Sequence, residues 1–153
     1  MKYQFKVMTQ QEAEEIAHQW HYDGDYAFYD MEADEEDLVE FLDSEKRGDT
    51  TFSVYEGNDL IGFFAVHADV GSFDIGLGLR PDLTGGGRGQ TFLKEGMDFV
   101  QTEFSPARVA LSVATFNQRA IRVYQKAGFV DKGTFMQATN GSTYEFLRME
   151  YVC

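Results

Sequence analysis

Cysteine, proline and positive charge are all in short supply in this sequence. The one cysteine, Cys153, stands at the last position, so no internal disulfide can form and a thiol nucleophile inside a pocket is not expected. Two prolines, Pro81 and Pro106, are too few for a proline-rich linker. Lys and Arg number 13 against 26 Asp and Glu, a formal net charge of −13. Nucleic-acid phosphates demand basic surface, so that class of partner is excluded, whereas a cationic small molecule is permitted. Long apolar runs are missing as well. A helix needs about 20 apolar residues to cross a bilayer, and no stretch comes near it, so no membrane partner is expected. Residues 1–6 lack the apolar core of a secretion signal, which makes the cytoplasm the expected location.

The chain does have enough apolar material for a core. Its 153 residues are 43% hydrophobic, and no repeat or low-complexity tract divides them, so one domain over 1–153 is expected. The stretch from Phe73 to Phe104 organises it. The apolar run Phe73-Asp-Ile-Gly-Leu-Gly-Leu79 reads as a strand and is punctuated at Arg80-Pro81. The run Thr84-Gly-Gly-Gly-Arg-Gly-Gln90 follows. Beyond it Phe92, Leu93, Gly96, Met97, Val100 and Phe104 recur at spacings of three and four, so a helix opens inside the glycine run. Such an N-terminus presents unpaired N–H groups and the positive end of the macrodipole, and glycines let an anion reach that backbone. It is not the nucleotide P-loop, because Gln90 and Thr91 follow Gly89 where Lys-Ser or Lys-Thr is needed. Nor is it the dinucleotide fingerprint, because Gln90 holds the place of the third glycine.

Elsewhere, Tyr3 to Met8 alternates as a strand, and Thr9-Gln-Gln-Glu12 is a capping box ahead of a stripe of Ala13, Ile16, Ala17 and Trp20. The segment His21 to Asp30 is dense in aromatics and acids and has no period; it is either a packed cover or a recognition surface. Asp34 caps a helix with inner face Leu38, Phe41 and Leu42 and Gly48 past its end, and the acids Glu32, Asp34, Glu35, Glu36 and Asp37 read as its solvated start. Residues 50–55 and 60–68 form a hairpin, with His67 read as packing. Residues 107–116 form a strand, 118–127 a helix closed by Gly128-Phe129, and 129–138 and 143–152 a last hairpin. His18 and His21 have no third ligand at metal spacing, and no metal is expected. Mixed strand and helix order implies an α/β (α+β mixed) domain with helices on both faces of a sheet.

The loop Pro81-Asp-Leu-Thr-Gly-Gly-Gly-Arg-Gly89 resembles that of the GNAT superfamily of acyl-CoA-dependent N-acyltransferases, whose pattern is Gln/Arg-x-x-Gly-x-Gly/Ala. Gly87 and Gly89 match the small positions, and Thr84 departs from the Gln or Arg. A second segment, Asn117-Gln-Arg-Ala-Ile-Arg-Val-Tyr-Gln-Lys-Ala-Gly-Phe129, closely matches the family's Asn-x-x-Ala-x-x-x-Tyr-x-x-x-Gly-Phe. The resemblance implies a mixed, mostly antiparallel sheet of six or seven strands with splayed central strands and about four flanking helices. It also implies acetyl-CoA as co-substrate. The N–H groups of Gly85, Gly86, Gly87, Arg88, Gly89 and Gln90 would hold its pyrophosphate, with Arg88 adding charge. Leu77, Gly78 and Leu79 would pair with pantetheine as a strand does, a backbone N–H there facing the thioester oxygen, and Gly78 suits a bulge or close approach.

The resemblance assigns Tyr124 the role of acid to the departing thiolate and Asn117 a hydrogen bond to the cofactor. Tyr22, Tyr26, Tyr29 and Asp30 fall in the region that borders the acceptor, a small-molecule or peptide amine. The base is open between Asp74 and a water relay. The implied activity is acetyl transfer to a primary amine within a ternary complex, by a monomer or homodimer. The other reading is a silent acyl-CoA-binding module of the same fold.

Overall fold

A sheet apolar on both faces needs cover on both, and that requirement sets the architecture. The computed structural model describes residues 3–69 and 72–153. Seven strands, β1 (Gln4–Val7), β2 (Thr51–Glu56), β3 (Asp59–Asp69), β4 (Ser72–Leu79), β5 (Arg108–Ala114), β6 (Val130–Thr139) and β7 (Ser142–Val152), form one sheet in the order β1-β2-β3-β4-β5-β7-β6. Every pairing is antiparallel except β4 with β5. That parallel pair is joined only at Phe73↔Val109 and Asp74↔Ala110, so from Ile75 onward β4 has no strand beside it on that edge.

The helices are α1 (Gln10–Gln19), α2 (Glu35–Leu42), α3 (Ser44–Arg47), α4 (Arg88–Phe104) and α5 (Gln118–Ala127), with 3-10 turns at Gly24–Tyr29, Met31–Ala33 and Pro81–Leu83. Helices α4 and α5 cover one face, where Phe64, Phe92, Leu93, Val100, Val109 and Met149 form the main core. Helix α1 and Phe41 of α2 cover the other through Met8, Ile16, Trp20 and Phe63. Alternation along β3 splits these sets, with Phe64 and Val66 facing α4 and Phe63 facing α1.

Helix α1 starts at the expected capping box. Thr9 Oγ1 accepts from Glu12 N, and Glu12 Oε1 accepts from Thr9 N at 2.9 Å. Glu12 also reaches β2, accepting from the hydroxyls of Ser53 and Tyr55. The helix expected to run from Asp34 to Gly48 is broken in two, because Asp43 ends α2. Its carboxylate accepts from Glu45 N and restarts the chain as α3, so Gly48 closes that helix instead. The break turns Arg47 inward, only 5% exposed, where Nη1 donates to Phe41 O and Nη2 to Gln10 Oε1. The last hairpin turns through Asn140 and Gly141, both left-handed, as a two-residue loop demands.

Gly78 makes no bulge. Its register with β3 is regular, and the close approach there is the Phe63 ring, whose Cε1 lies 2.3 Å from where a Cβ would stand. Gly96 of α4 is filled in the same way by buried Phe64, at 2.0 Å. Gly96→Ala therefore sets two effects against each other. Helix propensity favours Ala by about 1 kcal/mol, but the ring has nowhere to go, and overpacking costs about 1–3 kcal/mol. Calorimetry should show a lower melting temperature for Gly96→Ala.

Candidate active site

Because β4 and β5 part after two residues, the sheet has a gap, and a cleft of about 1270 Å³ occupies it. Its walls come from both faces. Leu77, Val113, Val123 and Tyr124 line the α4/α5 side, and Phe41, Phe63, Ala65 and His67 the α1/α2 side. The wedge thus connects the two faces, and two molecules can meet within it from opposite sides.

One end is electropositive although the chain is strongly acidic. Helices α1, α2 and α3 each carry acids in the first turn, as the dipole favours. Helices α4 and α5 carry none. Gly87, left-handed at φ 80°, caps α4 without any side-chain hydrogen bond, leaving the first N–H groups open to a ligand. Thr84, Gly85, Gly87, Gly89 and Gln90 line this end of the cleft; Gly86 does not. Thr84 Oγ1 turns back to donate to Pro81 O at 2.8 Å, and Gln90 Nε2 reaches Val123 O at 3.4 Å.

The expected cation, Arg88, points elsewhere: it pairs with Glu56 at 3.3 Å and is not part of the lining. Arg119 takes its place. Its Nη1 lies 3.4 Å from the Cβ position of Gly85, and its guanidinium sits 4.3 Å over the Tyr26 ring. A cation in the first turn of α5 opposes the helix dipole, which makes sense beside an anion. Sequence reasoning missed it, although an arginine two residues after Asn117 in a helix without acids was a visible signal.

Tyr124 reaches the wedge from α5. Its ring packs edge-on to Phe129 at 5.9 Å, and burial, with Tyr29 nearby, pushes its phenol well above the ordinary range, so it is a neutral proton donor. Asn117 Oδ1 caps α5 by accepting from Ala120 N at 3.2 Å, and the residue also lines the cleft.

The aromatic segment forms the opposite wall. Phe28 packs on Phe116, Tyr144 and Phe146, Asn140 Nδ2 donates to Phe28 O, and the Tyr22 hydroxyl donates to Leu79 O at 2.7 Å. Tyr22, Tyr26, Tyr29 and Asp30 all line the cleft. Asp30 is already engaged, by Tyr22 N at 2.8 Å and by His21 Nδ1 at 3.2 Å. Asp37 and Glu40 join the lining from α2. Burial, with Asp34 and Glu40 close by, raises the Asp37 carboxyl above the usual range.

One of the two candidates for the base stands apart from the cleft, and one expectation needs correction. Asp74 lies where β4 and β5 are still paired, outside the lining, and Arg148 grips it with two bonds of 3.0 and 3.1 Å. His67, expected as packing, is exposed and lines the cleft. Among the described residues, no group of three or more His, Cys, Asp or Glu could hold a metal.

The family model described as an Acetyltransferase (GNAT) domain matches residues 4–130. The chain belongs to the GNAT acetyltransferase family. Solved GNAT structures share its fold. An acetyltransferase from Bacillus anthracis superposes with a TM-score of 0.77 at 19% identity, covering 99% of this chain and 95% of that one. The spermidine N-acetyltransferase of Vibrio cholerae, in complex with CoA and spermine, gives 0.76 at 19%, with the same coverage. The ribosomal-protein-S5-alanine acetyltransferase of Vibrio fischeri gives 0.66 at 18%, covering 99% and 93%. No curated protein matches the chain. The sheet that opens between β4 and β5 is thus the GNAT sheet.

In this GNAT domain the aromatic wall is held by a charge. Nδ1 of His21 faces Asp30 and Nε2 faces the His18 carbonyl at 2.9 Å, with Glu32 3.7 Å away and itself facing His18 Nδ1. Only the imidazolium has an N–H for both acceptors. The bond to Asp30 accordingly raises the His21 pKa above 6.5. A raised folded-state pKa means the clasp is fully present below the unfolded value and is lost as pH rises through the folded one. Trp20, the single tryptophan, should report this: its emission should titrate with a midpoint above 6.5, and His21→Gln should abolish that transition.

Proposed function

We propose that the protein is an N-acetyltransferase that moves the acetyl group of acetyl-CoA to a primary amine by direct transfer in a ternary complex. The observation that carries this reading is that the acid-free N-terminus of α4, the unpaired edge of β4 and the hydroxyl-bearing Tyr124 all line one cleft. These residues fit the group. The N–H groups around Gly87 and Gly89, with Arg119, suit a pyrophosphate. The free edge of β4 from Ile75 to Gly78, beyond which Tyr22 takes the Leu79 carbonyl, suits an amide-bearing arm, as in β-augmentation. Bound acetyl-CoA would supply an activated thioester.

Tyr124 then gives its phenolic proton to the sulfur as charge builds there. A backbone N–H of β4 stabilises the carbonyl oxygen from one side. No covalent acetyl-enzyme is needed, since Cys153 is exposed at the chain end and no other nucleophile of that kind is available. The amine enters from the α1/α2 side and loses its proton to water in the open cleft. Asp37 and Glu40 on that side favour a cationic amine, in keeping with the net charge and with the spermine complex of the Vibrio cholerae relative.

Two variants test this reading. Gly89→Glu puts a helix former and an acid in the first turn of α4, so the free protein should become more stable, by about 0.5–1 kcal/mol. The same carboxylate should lower acetyl-CoA affinity by an order of magnitude or more, read as a lost thermal shift. Unchanged affinity would falsify the phosphate-loop assignment. Tyr124→Phe should bind acetyl-CoA almost as the parent does, yet release thiol about a hundredfold more slowly in single turnovers with a panel of primary amines. Parental rate and affinity together would make Tyr124 merely a core residue. If the parent binds acetyl-CoA and releases no thiol with any amine, the protein is a silent acyl-CoA-binding module.

A further inference from the structure

Among the described residues, two buried side-chain polar atoms have no hydrogen-bond partner, Tyr29 Oη and Arg47 Nε, and both belong to residues lining the cleft. Buried polar groups are nearly always satisfied, so each orphan needs a reason. Arg47 has one: its other two nitrogens tie α3 to α1 and α2, and Nε is left over. Tyr29 has a single polar atom and no such use for it. Its hydroxyl faces the Asn117 side chain and the Ala114 backbone but meets neither at hydrogen-bonding geometry. The ring is clamped, edge-on to Phe28 at 5.1 Å and against Phe116 at 6.0 Å, so it cannot easily swing to a partner.

Its position is specific. Asn117 and Ala114 mark the end of β5 and the start of α5, the far bank of the wedge from β4. Tyr124 lies close enough for Tyr29 to disfavour its ionisation. Tyr124 comes from α5 on one face of the sheet and Tyr29 from the aromatic segment on the other. Burial keeps the Tyr29 phenol neutral, hence able to donate.

We infer that Tyr29 contacts the reacting group: its hydroxyl donates a hydrogen bond to the thioester carbonyl oxygen of an acyl-CoA seated in the wedge. This rests on the acyltransferase reading above. A carbonyl oxygen has two lone pairs. The β4 backbone takes one from its side of the wedge and Tyr29 takes the other, giving a two-donor site for the charge that develops there. The hydroxyl is unsatisfied in the free protein because its partner arrives with the ligand.

The inference makes a paired prediction. Tyr29→Phe removes an unsatisfied buried hydroxyl and keeps the ring, so the free variant should melt higher than the parent, by about 2–4 °C for a domain of this size. Tyr22→Phe is the contrast. Its hydroxyl is bonded to Leu79 O, so that variant should melt lower. In calorimetric titrations with acetyl-CoA and with CoA, the parent's preference for the acetylated form should shrink about fivefold or more in Tyr29→Phe. If free Tyr29→Phe melts below the parent, or keeps the parental ratio of the two affinities, the hydroxyl is structural and the inference fails while the acyltransferase reading stands. A parent that binds neither ligand overturns both.

Discussion

The early parting of β4 and β5 is the constraint on which the rest depends. A parallel pair held at Phe73–Val109 and Asp74–Ala110 and then released leaves a strand edge unsatisfied in the middle of a sheet, where backbone groups are otherwise paired. The chain surrounds this edge with groups that hold it open. Phe63 lies across Gly78, Tyr22 anchors to the Leu79 carbonyl, and α5 is capped by Asn117 at the opposite bank. Asp74 and Arg148 secure the closed end. The Asp74–Arg148 pair, at a residue the sequence left open as one of two candidates for the base, fastens the wedge where the strands are still joined.

Most of the architecture was legible because it rests on local signals. The capping box at Thr9–Glu12, the 3.6-residue stripe of α4 and the Asn140-Gly141 turn each specify their element from a few neighbouring residues, and the structure has all three. The family motifs supplied the splay, which no local pattern implies. What could not be read was direction. Arg88 and Arg119 are equally plausible partners for an anion as letters, yet one side chain turns to Glu56 and the other crosses Tyr26 to the loop. The fate of Asp74 depended on an arginine 74 positions away.

The aromatic segment from His21 to Ala33 was the least legible part, since 3-10 turns carry no long period. Its order comes partly from outside it and partly from one shared carboxylate within. Phe116 and the β7 aromatics take Phe28, Asn140 takes its carbonyl, and Asp30 is shared between Tyr22 N and His21. A segment so dependent on distant contacts opens at lower cost than the core beneath it, as the route proposed above for the amine requires.

The contrast between an acid-free pair of helix N-termini and a chain of net charge −13 also bears on rates. An anion bound at Gly87 and Arg119 is attracted over a few ångströms but repelled over tens, because at low ionic strength the whole molecule's field outreaches that of two helix ends. Added salt screens the long-range repulsion first. Association of a polyanion with this cleft should therefore quicken as salt rises from low concentration, the reverse of ordinary electrostatic steering, while a cationic molecule approaching the other mouth is slowed.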